Sequence, residues 1–331
     1  MEFSEYYVAY FDVLGCRSYF EGREDATLEF LRKLKGMIDC SRRSAQIINA
    51  SKTLNLLPEM KIHYKIFSDN VTLYIKVTKS PLEIVRLLTF LQTITELQRD
   101  VLFDYGLLLR GGVTVGKLYS DETLIIGRAL ISAVELEEKG VYSRILIDNS
   151  VDAAISALIN NLFPNDYITK DGMEAWIDSL VFGAVGDKRP FLNYLSIPEL
   201  VKVYPILKNG NMDVLDQLKR ESPEEYESAQ RAILSKSQSQ IHNNLIKHRN
   251  ILHECIRHYC GYGDVNRDDA NAVALKSKIV QKYKWLVVFH NYMCGLYKFE
   301  DCLVYVRYTY DPITLYDYME VADSTTRQEK N

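Results

Sequence analysis

The sequence predicts an α+β fold in two parts. Residues 1–150 read as a mixed sheet with helices, and residues 151–331 as a mainly helical extension. Two observations predict this. In the first part, short apolar and aromatic runs alternate with stretches of helical period. In the second, two long helical stretches, Ser222–Ile256 and Asn271–Leu296, flank the turn Gly261-Tyr262-Gly263-Asp264. A chain of 331 residues is long enough for a sizeable core and two domains. With 47% hydrophobic and 25% charged residues it has ordinary globular usage.

Tyr6–Asp12 is a buried strand by its apolar and aromatic content. Thr27–Ile48 is helical, with Leu28, Leu31, Leu34, Met37 and Ile38 as the expected inner stripe. Lys61–Val77 reads as strand, break and strand, with Phe67-Ser68-Asp69-Asn70 at the break. Pro81–Leu102 carries Leu82, Ile84, Val85, Leu88, Leu91 and Ile94 at helical spacing. Leu107–Leu118 is a strand or strand pair, Ala129–Lys139 a helix and Arg144–Asp148 a strand. The order is therefore βα-ββ-α-ββ-α-β. Ser222–Ile256 opens with Pro223 and acids in its first turn, a good helix start. The polar tail Asp323–Asn331 is an expected frayed end.

Composition narrows the function classes. A net charge of −4 offers no broad basic surface, so direct nucleic-acid binding is not expected. No apolar run reaches the length of a membrane span. The first residues lack the basic and apolar regions of a signal peptide. The six cysteines form no CxxC pair, which suits a reducing, cytoplasmic setting.

Three charged residues stand at strand ends beside turn residues: Asp12 before Val13-Leu14-Gly15, Asp69 in the Ser68-Asp69 break, and Arg110 before Gly111-Gly112. A buried carboxylate is costly unless paired. Two carboxylates on neighbouring strand ends make an oxygen-ligand site for hard divalent ions, and two such ions can clamp a phosphoryl displacement. Backbone N–H groups from Leu14, Gly15 and Cys16 onward would cradle phosphates if a helix starts there. Arg110 suits a forked phosphate contact. Each feature alone also has a plainer explanation: a cap or turn for the acids, and a tight turn with positive φ for the paired glycines.

Taken in order, these segments resemble the class III nucleotidyl cyclase domain, whose fold is a ferredoxin-like palm. Phe11-Asp12-Val13-Leu14-Gly15-Cys16 is similar to its first motif. Tyr64-Lys65-Ile66-Phe67-Ser68-Asp69 is similar to its second, with Ser68 where the family has Gly. Arg110-Gly111-Gly112-Val113-Thr114-Val115-Gly116 matches the third and Gly127–Glu137 the fourth. The resemblance covers about residues 5–150. It implies that Asp12, Val13 and Asp69 hold two Mg²⁺ or Mn²⁺ ions and that Arg110 neutralises the outer phosphates of a nucleoside triphosphate. It implies that Lys65 reads the base, and that a head-to-tail homodimer places Lys65 of one subunit over a nucleotide held by the other. Lys65 and Asp69 lie about 13 Å apart along an extended strand.

The chain departs from the family pattern. Ile131 and Glu135 stand where the family has its transition-state Asn and Arg, and Leu124 stands near the purine-reading acid. Arg128 is the nearest cation to take the missing role. The Phe11–Gly15, Phe67–Val71 and Arg110–Gly116 segments and the long extension are similar to the pyrimidine cyclases of Pycsar antiphage systems. That similarity implies cyclic UMP or cyclic CMP made for a separate effector. The open alternatives are a cyclic-oligonucleotide synthase and a silent nucleotide-sensing module.

In the extension, His248–His258 invites a metal reading, but His253-Glu254-Cys255-Ile256-Arg257-His258 is one residue too long for HExxH. Steps of five place its histidines on different helix faces. Cys255 and Cys260 lack zinc spacing. Tyr283–Tyr292 reads as a core or interface helix, and Val185–Pro190 as a loop.

Overall fold

Strand β1 (Ser4–Val13) sits in the middle of the sheet because every residue of it is hydrogen-bond paired on one side and most on both. The computed structural model describes residues 2–16, 24–50, 60–80, 82–162, 167–183, 189–197, 223–260 and 269–305. The expected turn at 261–264, most of the 185–190 loop and the 323–331 tail lie outside them.

After β1 come α1 (Glu24–Ala50), β2 (His63–Phe67), β3 (Asn70–Lys76), α2 (Glu83–Tyr105) and β4 (Leu109–Ser120). β1 pairs antiparallel with both β3 and β4, and β2 pairs antiparallel with β3. The order β2-β3-β1-β4 makes residues 4–120 a split βαβ core of the ferredoxin-like kind. Next are β5 (Ile125–Ile126), α3 (Arg128–Lys139), β6 (Ile145–Ile147), α4 (Asn149–Leu162), α5 (Tyr167–Leu180), β7 (Val181–Phe182) and β8 (Phe191–Leu192). β6 runs parallel to β4, β8 pairs with β6, and β7 closes the edge against β8.

The sheet thus continues past residue 150, the boundary expected from the sequence. The chain divides instead into compact units at Met1–Ser237 and Gln238–Asn331. Strands of two residues, such as β7 and β8, have no period for a sequence reading to detect.

Side chains on β1 alternate between two faces. Tyr7, Ala9, Phe11 and Val13 enter the main core with α1 and α2. Tyr6, Val8 and Tyr10 face the other way, where Ala129 and Ala133 of α3 pack on them. α2 is buried nearly all round. α5 lies against it, and the Trp176 indole donates to Gln92 Oε1 at 3.0 Å.

One expectation needs correction, and one open alternative, the turn at Gly111-Gly112, is closed in favour of the strand. The inner stripe of α1 is Phe30, Leu34, Met37, Ser41 and Ala45, while Leu28 and Leu31 are 49% and 43% exposed. Apolar residues occupied two overlapping phases of that helix, and packing chose between them. Gly111 and Gly112 do not form a turn but lie inside β4. A Cβ on Gly112 would stand 2.7 Å from both the Ala133 carbonyl and Leu136 Cβ, so the glycine is what lets α3 lie directly on the strand.

The second unit contains the C-terminal part of α6 (Pro223–Cys255), a π-helical turn at Ile256–Cys260, and α7 (Ala270–Tyr297), followed by a 3-10 turn at Glu300–Cys302. Asp269 caps α7 by accepting from Asn271 N and Ala272 N. Tyr283, Trp285, Leu286, Val287, Phe289 and His290 are buried, so this stretch is core. His248 and His290 are both fully buried, with their Nδ1 atoms 3.0 Å apart. His290 Nε2 donates to the Cys302 carbonyl at 2.8 Å, so its Nδ1 accepts from His248 and both rings are neutral. Burial drives both below the ordinary value, His290 to about 4.

Two outcomes are expected. Gly112→Ala should cost about 1–3 kcal/mol by overpacking α3 against β4, read as a lowered denaturant midpoint. The depressed histidines bind protons more readily when unfolded, so stability is complete above the unfolded value near 6.5 and falls as pH drops toward 4. Thermal melting across that range should show the loss, and His248→Gln with His290→Gln should flatten it.

Candidate active site

β1 and β4 place Asp12 directly opposite Arg110. The guanidinium forks onto the carboxylate: Nη2 donates to Asp12 Oδ2 at 3.2 Å, and Nε lies 3.5 Å from Oδ1. Arg110 also forms an ion pair with Glu137 of α3, whose carboxyl is buried. Burial pushes Glu137 up to about 7, and the charge of Asp12 adds to this while Arg110 opposes it. Burial alone would lower Arg110, but the Asp12 hydrogen bond and charge outweigh it and raise it. Asp12, Arg110 and Glu137 are therefore one ion cluster joining β1, β4 and α3.

Asp69 joins the same neighbourhood from the β2–β3 turn. β1 and β3 pair Phe11 with Val71. Continuing that register brings Val13 beside Asp69. Cys16 makes the link physical: burial raises its thiol to about 12, aided by a hydrogen bond to Asp69 and by the charges of Asp69 and Asp12. Tyr10 is raised to about 12 by burial and then by Asp12, Glu137 and Asp69. Ser68 takes φ +57°, the left-handed conformation that favours glycine, which tightens the turn carrying Asp69.

Lys65 lies away from this cluster. It pairs across from Thr72 on β2 and donates from Nζ to the Glu122 carbonyl. The receiving turn is built by Asp121, whose Oδ1 accepts from Thr123 N and Leu124 N at 2.8 and 2.7 Å. These contacts and the Tyr119 hydroxyl hold the Asp121 carboxyl well below its usual range. The structure thus brings Lys65 beside the turn holding Leu124, which is 46% exposed.

Three of the expected site residues, Arg110, Leu14 and Arg128, have surroundings that differ from their expected roles. The Arg110 fork grips Asp12 and Glu137 rather than standing ready for phosphate. Leu14 N donates to the Leu108 carbonyl at 2.8 Å, so it is lost to the expected phosphate cradle. Gly15 adopts φ +84°, and Cys16 has helical geometry, but residues 17–23 lie outside the described ones. Arg128 is exposed at the start of α3, about 13 Å along the helix from Glu137, and does not reach the acids. Ile131 and Glu135 fall on the side of α3 away from the buried Ala129, Ala133, Leu136 and Glu137, with Ile131 49% exposed.

Glu137 is the residue missed from the sequence. The available signal was an acid on the apolar face of α3, in phase with Ala129, Ala133 and Leu136.

Asp12 and Asp69 fit a hard divalent ion by donor chemistry, since all their ligand atoms are oxygens. A carboxylate offers about four lone-pair positions, so Asp12 retains acceptors while Arg110 is bound. Among the described residues, no helix is long and apolar enough to cross a membrane.

No protein-family model matches the chain, and no curated protein sequence matches it. Two solved structures to which it is similar are bacterial cyclases. The adenylyl cyclase CyaB from P. aeruginosa is 14% identical, with a TM-score of 0.34, covering 58% of this chain and 92% of its own. A bacterial light-regulated adenylyl cyclase is 13% identical, with a TM-score of 0.31, covering 47% and 81%.

Arg110→Met should leave two carboxyls facing each other with no cation between them. The expected loss is about 2 kcal/mol, less than for a fully buried pair because a quarter of the Arg110 side chain is exposed. Adding Glu137→Gln should restore more than half of it, as a double-mutant denaturation cycle would report.

Proposed function

We propose that the chain is a metal-dependent nucleotidyl cyclase that converts a nucleoside triphosphate to a 3′,5′-cyclic monophosphate and pyrophosphate. One observation supports this reading: Asp12 and Asp69, at neighbouring strand ends of a ferredoxin-like sheet, are close enough that both raise the Cys16 thiol and the Tyr10 hydroxyl. The ribose 3′-oxygen attacks the α-phosphorus, the bond to the β-phosphate oxygen breaks, and the 3′-hydroxyl proton leaves to water. Mg²⁺ or Mn²⁺ held by Asp12 and Asp69, with Val13 between them, would supply the positive charge that stabilises the alkoxide and the α-phosphate. Arg110 acts as a positioning residue that holds the Asp12 carboxylate through its forked contact. Gly15 and Cys16 border the phosphate side of the site. Lys65 and the 121–124 turn form the base-reading patch, and its separation from Asp69 favours a homodimer in which each subunit reads the other's nucleotide.

We assign a pyrimidine triphosphate, UTP or CTP, as the substrate. Leu124 offers no side-chain hydrogen bond where the family resemblance places a purine-reading acid. The product would serve a separate cyclic-nucleotide effector in a cytoplasmic antiphage response, as the resemblance to Pycsar cyclases implies.

A second reading, a silent nucleotide-binding module, is favoured by the closed Arg110–Asp12 fork and by Ile131 and Glu135 at the positions of the family's transition-state residues. A product assay separates the two. Each of the four NTPs is incubated with the full chain and Mn²⁺ or Mg²⁺, and products are weighed by mass spectrometry. A cyclic monophosphate from UTP or CTP is expected. Products with two or more bases would move the assignment to an oligonucleotide synthase, and bound but unchanged nucleotide to the silent module. Asp69→Asn should lower turnover at least about a hundredfold while leaving the melting temperature nearly unchanged. Full activity in that variant would remove Asp69 from the metal set.

A further inference from the structure

We propose that His242, Asp301 and Cys302 form a second metal site, in the C-terminal unit, that takes a borderline-soft divalent ion such as Zn²⁺. One ligand atom from each residue lies within 4.8 Å of the other two, and this is the single such trio of His, Cys, Asp or Glu among the described residues. It owes nothing to the oxygen-only pair at Asp12 and Asp69.

Imidazole, carboxylate and thiolate are the donor types that zinc accepts, and three of them leave a fourth tetrahedral position for water. At zinc bond lengths the ligand atoms would stand about 3.3–3.7 Å apart. His242 Nε2 and Asp301 Oδ2 are 2.7 Å apart and no pair is more than 4.8 Å apart, so no pair adjusts by more than about 1.5 Å. The Asp301 carboxylate currently gathers the other two through protons, since the Cys302 thiol also hydrogen-bonds to it. An ion entering the trio replaces those hydrogen bonds. The Cys302 S–H proton leaves to water, and His242 gives up its Nε2 proton and carries one on Nδ1, which frees Nε2 for the ion.

The surroundings suit such an ion. Cys302 is fully buried, while His242 and Asp301 are 31% and 55% exposed in their side chains, which gives an entry path from solvent. The backbone of the ligand turn is held on both sides. Arg249 Nη1 donates to the Asp301 carbonyl at 2.6 Å, and His290 Nε2 to the Cys302 carbonyl at 2.8 Å. Such outer contacts orient ligands and strengthen metal sites. Bound metal would tie the Glu300–Cys302 turn to α6 across 59 residues of sequence.

The test uses the purified full chain, stripped with chelator and titrated with Co²⁺. A thiolate-to-cobalt charge-transfer band and tetrahedral visible bands are expected, both erased by added Zn²⁺. The Cys16 thiol beside Asp69 is the other candidate source of such a band, so Cys16→Ser should leave the band unchanged. His242→Gln, a change at a partly exposed position, should weaken Co²⁺ binding at least about tenfold. Cys302→Ser should abolish the charge-transfer band. Absence of the band in the unmodified chain overturns the proposal, as does a band of undiminished affinity in both variants.

Discussion

The two-residue alternation of β1 is the constraint on which the rest depends. Phe11 and Val13 belong to the hydrophobic core under α1 and α2, and the strand is locked between β3 and β4. Asp12 must then project to the opposite face, since a register slip of one residue would bury the carboxylate in the core and expose both apolar neighbours. The pairing with β4 puts Arg110 across from it, and the glycine at position 112 lets α3 approach closely enough to bring Glu137 alongside. A chemical site follows from a packing rule.

That site is electrostatically crowded. Asp12, Glu137 and Asp69 all raise the Tyr10 hydroxyl, and Arg110 is the cation that opposes them. One Arg between two carboxyls keeps its own charge firmly but cannot neutralise three acids. Burial, and then the charge of Asp12, accordingly raise Glu137 to about 7, with a hydrogen bond to Asp12 adding to the shift. A divalent ion arriving at Asp12 and Asp69 would meet an acid cluster already short of positive charge, which is a favourable place for a cation.

Much of the fold was legible in the sequence because it is local. The strand–turn–strand around Ser68-Asp69, the helices over 83–105 and 128–139 and the two long C-terminal helices follow from period and end signals. Where two readings had equal local support, packing decided. Leu28 and Leu31 had the right spacing and lie outside, while Phe30 and Ser41 lie inside. The glycines at 111 and 112 left a turn open as an alternative to the strand because their real reason, a helix laid against the strand, is contributed by residues some twenty positions away.

The sequence by itself determined which charged residues stand at strand ends, Asp12, Asp69 and Arg110, because a charge beside a glycine or turn residue after an apolar run is a local pattern. It also determined the alternation that separates the core from the site. Only the tertiary structure decided what those charges touch. Arg110 faces Asp12 through a pairing of residues 98 positions apart, Arg128 is carried to the wrong end of its helix, and His242 meets Asp301 through a contact with no spacing motif. Partners of a charged group are chosen by distance in space. A single sequence records order along the chain, and that distance is set when sheet register and helix packing are complete.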